Sequence, residues 1–219
     1  MSSASAGLIT SHESQTASIQ AHIDRAIEDV LAALPDPKQL SAEQRRGIIA
    51  RYTTVLEGNF IYWMTGAYIA VGSDAARTKI LENLHEEVRD SHPNMLRKFA
   101  LAAGAVPTDT DAQAVYDKLT NVRLFIGRLS PVPIVVTMAF FEGLIQRFMP
   151  YLADLARRQG SSEMEYTDVH GVCDITHTQE LYRALEAELA LNPTRVSSSD
   201  MFEGVELLRA LVQNIVVNN

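Results

Sequence analysis

His170, Asp174 and His177 stand at i, i+4 and i+7 in a segment that reads as helix from Thr167 to Leu189. A helix turns about 100° per residue, so these offsets stack all three side chains on one stripe over two turns. Imidazole nitrogen combined with carboxylate oxygen suits iron, manganese or zinc. The same spacing also describes a solvated face with two unrelated histidines. The metal reading therefore depends on partners supplied by other helices.

Glu142 is the clearest such partner, because it interrupts an apolar run from Met138 to Ile145 whose neighbours should all lie inside. A carboxylate buried there is costly unless it is paired or bound to a metal. An arginine from another helix would satisfy it equally well. The stretch Asn83 to His92 is a second source, with two histidines and three acids (Glu86, Glu87 and Asp90) ahead of Pro93. On a regular helix His85 would share a face with His92, whereas a helix broken before Pro93 frees Glu86 or Glu87. A solvated helix end, with His92 packed on Phe99, is the plain reading of the same residues. Glu57 enters an apolar helix more faintly, as a further ligand, as a group orienting a histidine, or as a solvent-facing acid. His12 and His22 read as surface residues. Cys173 falls about 100° off the ligand stripe, which suits a core thiol better than a nucleophile.

The elements that must position these groups are almost all helical. Glycine is sparse, at 11 residues, and no alternating β-branched stretch is bounded by hairpin signals. Residues 1–13 are rich in Ser and Ala and are expected to form a mobile arm, ahead of a single helical domain over 14–219. Ile19, Ile23, Ile27 and Val30 mark one face of a first helix from about Ser14 to Leu34, before Pro35 and Pro37. Ser41 and Gln44 resemble a capping box opening a long helix to about Val71. Ser73-Asp74 would cap a third, broken near Pro93 and resuming to Gly104. Asp109 or Asp111 would cap a fourth, ending near Ser130-Pro131. A strongly apolar helix from about Pro133 to Arg158, the motif helix, and a last one from about Ser199 to Val217 complete an all-α bundle of about seven helices. Bundles of this kind build metal sites from side chains on facing helices.

Length and composition bound the rest. At 219 residues the chain suits one domain with a sizeable core. Its net charge of −8, without any long Lys/Arg cluster, argues against a nucleic-acid partner. No apolar run of about 18 residues is apparent, and Met1 to Gly7 lack the basic start of a signal peptide, so neither membrane insertion nor export is expected. With Cys173 the single cysteine, no intrachain disulfide forms and any metal is held by His, Asp and Glu. A cytoplasmic setting follows as the expectation.

Asn83-Leu84-His85-Glu86-Glu87, His92-Pro93 with Met95, Leu96 and Phe99, Phe141-Glu142, and His170/Asp174/His177 together resemble the haem-oxygenase-like diiron oxidases, over about residues 40–190. The quinone-cofactor oxidase of pyrroloquinoline quinone synthesis and the TenA thiaminases belong to the same superfamily. The resemblance implies metal ligands at Glu87, His92, Glu142, His170, Asp174 and His177, with Glu57 and Glu86 as candidate additions. Glu87 and Glu142 would bridge or cap two irons, His92 and His170 would bind one, and Asp174 and His177 the other. The stretch from Glu87 to His92 is shorter than the family pattern, which keeps Glu86 and His85 open beside Glu87.

By the same resemblance the expected activity is O₂-dependent oxidation of a small amine- or carboxylate-bearing metabolite in specialised metabolism, with two Fe(II) and O₂ as cofactors. N-oxygenation, desaturation and oxidative C–C or C–N cleavage all fall within it. Tyr62, Trp63, Tyr68, Arg147 and Tyr182 are candidate substrate contacts. The small substrate, O₂ and an external electron donor are the expected partners, with a homodimer open. The alternative is a metal-free TenA-like or ligand-binding helical protein whose acids and histidines are structural, and a pure interaction module is a third reading.

Overall fold

The computed structural model describes residues 3–191 and 198–217, with side chains from Gln15 onward apart from Ser198. His12 therefore lies outside the described side chains. Eight helices follow one another among these residues: α1 (Ser3–Ala32), α2 (Ala42–Ala70), α3 (Asp74–Arg89), α4 (His92–Ala102), α5 (Asp109–Ile126), α6 (Pro131–Arg158), α7 (Glu165–Leu191) and α8 (Ser198–Val217). The bundle is all-α, as the periodicity implied. The count exceeds the expected seven because the break before Pro93 separates α3 from α4 completely. Helix α1 also begins at Ser3, well ahead of Ser14, so the stretch expected as an arm is helical from there on.

Local signals account for the helix boundaries. Ser41 accepts from the Gln44 amide at 3.1 Å while Gln44 accepts from the Ser41 amide at 2.9 Å, a reciprocal cap that opens α2. Ser73 caps α3 through the Ala76 amide. At α5 the cap is Thr108 rather than Asp109 or Asp111. Thr108 accepts from the Asp111 amide, and the Asp111 carboxylate accepts in return from the Thr108 amide. An acid at the third helical position closes such a box as Glu or Gln would, which leaves the hydroxyl residue as the cap itself. The α5 helix ends at Ile126, earlier than Ser130.

Helix α6 is the centre of the bundle. From Val132 to Ile145 every residue is buried, and a helix that is apolar all round has no solvent face to offer. It is also long and apolar enough to cross a membrane, contrary to the expectation that no such stretch exists, but most of that stretch is buried inside the bundle. Its most extensive packing is against α7, with α2 and α8 on other sides.

The helix α7 shows how polar groups reach a core. Its buried residues include Tyr166, His170, Asp174, His177, Leu181, Ala184, Leu185 and Glu188, a continuous stripe that is polar in its middle turns and largely apolar after Leu181, with Glu188 the polar exception. Helix α3 repeats the device, with Ala76 and Ile80 leading into buried Asn83 and Glu87. Glu188, fully buried, accepts from the Ser73 amide at 2.6 Å. That bond fixes the start of α3 against the end of α7, and so registers the two polar stripes against each other.

Candidate metal centre

Six carboxylate and imidazole groups converge where α3, α4, α6 and α7 meet. Glu87, His92, Glu142, His170, Asp174 and His177 are each no more than 6% exposed. Ligand-capable atoms of Glu87, His92 and His170 all lie within 4.8 Å of one another, and those of Cys173, Asp174 and His177 do likewise. Glu142 adjoins the second group, its Oε1 3.7 Å from Nδ1 of His177. Asp174 stands 3.7 Å from the same nitrogen. No arginine pairs with Glu142 among the described residues.

Outer contacts hold each group in place. The backbone carbonyl of Tyr166 accepts from Nδ1 of His170 at 2.8 Å, one turn up the helix, which leaves Nε2 facing inward toward Glu87 at 4.0 Å. Glu86 accepts from Nε2 of His177 at 2.9 Å and turns Nδ1 toward Glu142 and Asp174. Fixing one ring nitrogen so that the other is presented is the standard way a protein orients a metal-binding imidazole. Asn83 donates to Glu142 at 2.7 Å. Gly143 lets neighbouring helices close in behind Glu142, since a Cβ there would meet Ile27 Cδ1 at 3.0 Å and Thr178 Cγ2 at 3.6 Å.

The local backbone explains Glu87. Helix α3 ends at Arg89, Ser91 takes the left-handed conformation at φ 61°, and α4 restarts at His92 with Pro93 in its first turn. This fold-back brings Nδ1 of His92 to 2.7 Å from Glu87. His85, which an unbroken helix would have placed near His92, is exposed instead.

Two inward-facing atoms, Nδ1 of His177 and Oδ2 of Asp174, are buried without any hydrogen-bond partner. Leaving such atoms bare costs about 1–3 kcal/mol each, a cost that a cation between them would remove. The donor set of nitrogen and carboxylate oxygen fits iron. Without the metal, protons carry the compensating charge. Burial opposes a charge on His177, but Asp174, Glu142 and Glu86 outweigh it and push its pKa up to about 10. Burial likewise opposes His92, and Glu87 outweighs it to raise the pKa. Burial lowers His170. Glu142 is held well above the ordinary carboxylate range by burial, reinforced by Asp174.

The remaining candidates lie elsewhere. Glu57 is ion-paired with Arg97 of α4, and Glu86 touches His177 from the outer side. Tyr62 is 46% exposed. Trp63 is a core residue set edge-on against Phe141 at 5.2 Å. Arg147 is bound to Asp24 at 2.8 Å, in the surroundings that Tyr182 shares. Neither these four nor Tyr68 lines the cleft beside the centre. All five stand on the right helices, α2, α6 and α7, but their positions turn them to other faces. His22 stacks on Phe202 at 3.8 Å and is half-buried rather than free on the surface. Cys173 is half-buried and donates to Asp174 at 3.2 Å, and burial pushes its thiol pKa up.

Two contributors were given no role from sequence, although Asn83 stands in the motif that carries the resemblance. Asn83 sits one turn before Glu87 on the same stripe, a position that could have flagged it. Tyr166 lies against His170 with ring centroids 4.2 Å apart, and its hydroxyl is 2.9 Å from that of Tyr52. That pairing spans 114 positions and has no local signature.

A helical bundle whose facing helices turn histidines and carboxylates inward defines a class of protein that carries metal in its core. The family described as iron-containing redox enzymes, of the haem-oxygenase-like superfamily, matches residues 51–210, and the chain belongs to it. A search of curated proteins found no match.

Proposed function

We propose that this protein is an O₂-dependent, non-haem diiron oxidoreductase acting on a small metabolite. Family membership supplies iron and redox chemistry. The convergence of two ligand groups with Glu142 beside them carries the step from iron to a pair of irons. Glu87, His92 and His170 would hold one metal, Asp174 and His177 the other, and Glu142 would lie between. Such a pair, when bound, supplies the electrons that activate O₂.

The chain's own residues do the rest. Glu86 and the Tyr166 carbonyl keep protons on the outer nitrogens of His177 and His170, so that the inner nitrogens would be available to hold a metal. Asn83 donates to Oε1 of Glu142, the oxygen that faces His177, and so fixes the carboxylate at the edge of the site. An apolar wall from α2, α4 and α6 borders the site and lowers the local dielectric, which strengthens the electrostatic interactions beside it. Thiol chemistry of the thiaminase kind finds little support, because a nucleophilic cysteine needs a lowered pKa and that of Cys173 is raised.

Anaerobic loading with Fe(II), followed by iron analysis and exposure to O₂, tests the reading. Two irons per chain and an optical change on exposure to O₂ are expected. Iron-free protein with undiminished activity would refute it.

A further inference from the structure

We infer that a carboxylate or phosphate group of a small polar molecule binds in the cavity between the N-terminal ends of α2 and α5, held by Arg51. The cavity shares no residue with the cleft beside the metal centre, and the inference stands apart from the reading of that centre. Its volume is about 470 Å³, and its walls come from the first three turns of α2 and the first turn of α5. Among the described residues those walls hold no aliphatic or aromatic side chain, only hydroxyl, amide, carboxylate and guanidinium groups and the bare backbone of Gly47. Arg51 is 7% exposed, and its Nε donates to the carbonyl of Ile215 on α8 at 2.8 Å. No acceptor among the described residues meets Nη1 or Nη2, and the side chain borders the cavity. A buried guanidinium with unused donors is costly, and a carboxylate or phosphate matches its planar fork with two parallel hydrogen bonds.

The two acids in the wall do not serve Arg51. Asp111 is taken by Arg46, which donates to it through Nη1 at 3.2 Å and Nη2 at 3.1 Å, and by the Thr108 hydroxyl. Glu43 is exposed on the rim and forms no ion pair with Arg51. The backbone is shaped around the guanidinium. Gly47 lies one turn earlier inside α2, where glycine weakens a helix. A Cβ there would stand 2.8 Å from Nη1 of Arg51, so the missing side chain lets the guanidinium lie back toward the start of α2. Both helices present the positive ends of their dipoles at this place. The caps take the amides of Gln44 and Asp111, and those of Glu43 and Thr110 meet no acceptor among the described residues. Burial lowers the pKa of Arg51, Asp111 offsets this only in part, and Arg46 adds to it.

The test titrates the full chain with inorganic phosphate and with malonate, against sodium chloride at matched ionic strength, by calorimetry or NMR shifts. Saturable binding of at least one is expected, the tighter of the two names the head group, and the thermal midpoint should rise with its concentration. Arg51→Lys keeps the charge but loses the fork, and should weaken binding roughly tenfold. Gly47→Ala should weaken it comparably by displacing Nη1, in a helix that alanine favours, with circular dichroism unchanged. Glu43→Gln removes a like charge from the rim and should tighten binding about two- to fivefold. Iron bound per chain should match the wild type in all three variants. Phosphate and malonate that do no more than chloride, or binding that survives both Arg51→Lys and Gly47→Ala unchanged, would overturn the inference.

Discussion

Glu87 and His92 are in hydrogen-bond contact at 2.7 Å although five residues separate them. On an unbroken helix that separation would set them about 140° apart. The contact exists because Ser91 adopts φ 61° and reverses the chain between α3 and α4. A non-glycine residue in that region is strained, and Ser91 makes no side-chain cap hydrogen bond that would offset it.

Ser91→Gly should therefore be tolerated or stabilising by about 0.5–1 kcal/mol, with iron binding retained. Ser91→Val should cost about 1–3 kcal/mol and lower iron content, because a β-branched residue resists the turn that brings His92 back to Glu87. Thermal unfolding and iron analysis on both variants check this. Equal stability of the two would show that the turn carries no strain.

The same turn separates two assignments that spacing alone left open. Glu87→Ala should sharply reduce iron bound per chain, and His85→Ala should leave it unchanged, since His85 is exposed and Glu87 is buried at the centre. Glu57→Ala should also leave iron unchanged, because that carboxylate is paired with Arg97. Iron loss confined to the His85 variant would mean that the metal assembles around a different set.

Protons and metal compete for the centre, so pH dependence has a definite sign. The His177 pKa is pushed up to about 10, with His92 raised as well, and the folded metal-free protein holds these protons more tightly than the unfolded chain. The stability they contribute is fully present below about pH 6.5, the unfolded value, and is lost as pH rises through the folded pKa. Glu142, raised well above its ordinary value, acts in the same direction, and His170, lowered, in the opposite one. Metal-free protein should lose roughly 1–3 kcal/mol between pH 6.5 and pH 10, whereas Fe(II) affinity should increase with pH as protons are displaced. Denaturant titrations and chelator competition across that range check the two slopes. A metal affinity independent of pH would contradict proton displacement.

Much of the architecture was legible because the helical period and its punctuation are local. Ser41 with Gln44, Ser73, the proline at 93 and the apolar run through Met138 to Ile145 each act within a few residues. The α7 stripe was legible for the same reason. What was not legible depends on long-range facing. Whether Arg147 or Trp63 reaches the site is decided by which neighbour its helix turns toward, and no spacing reports that. Asn83 against Glu142 and Tyr52 against Tyr166 pair across 59 and 114 positions. Thr108 was passed over as a cap because Asp109 and Asp111 have the same capping chemistry.

Close helix approach gives a prediction away from the centre. A Cβ at Gly204 on α8 would lie 2.1 Å from Thr137 Oγ1 and 2.5 Å from Phe125 Cε1. Gly204→Ala should cost about 1–3 kcal/mol through overpacking, despite the better helix propensity of alanine, and should leave iron stoichiometry unchanged. A stabilised variant in a denaturant titration would show that α8 shifts freely.

Iron bound per chain in the wild type against His177→Ala and Asp174→Ala tests the central claim most directly, with circular dichroism confirming that each variant stays helical. The shared diiron centre predicts two irons in the wild type and the loss of at least one in each variant, together with loss of the optical response to O₂. Both irons retained in either variant, with that response intact, would make His177 and Asp174 structural and contradict the account.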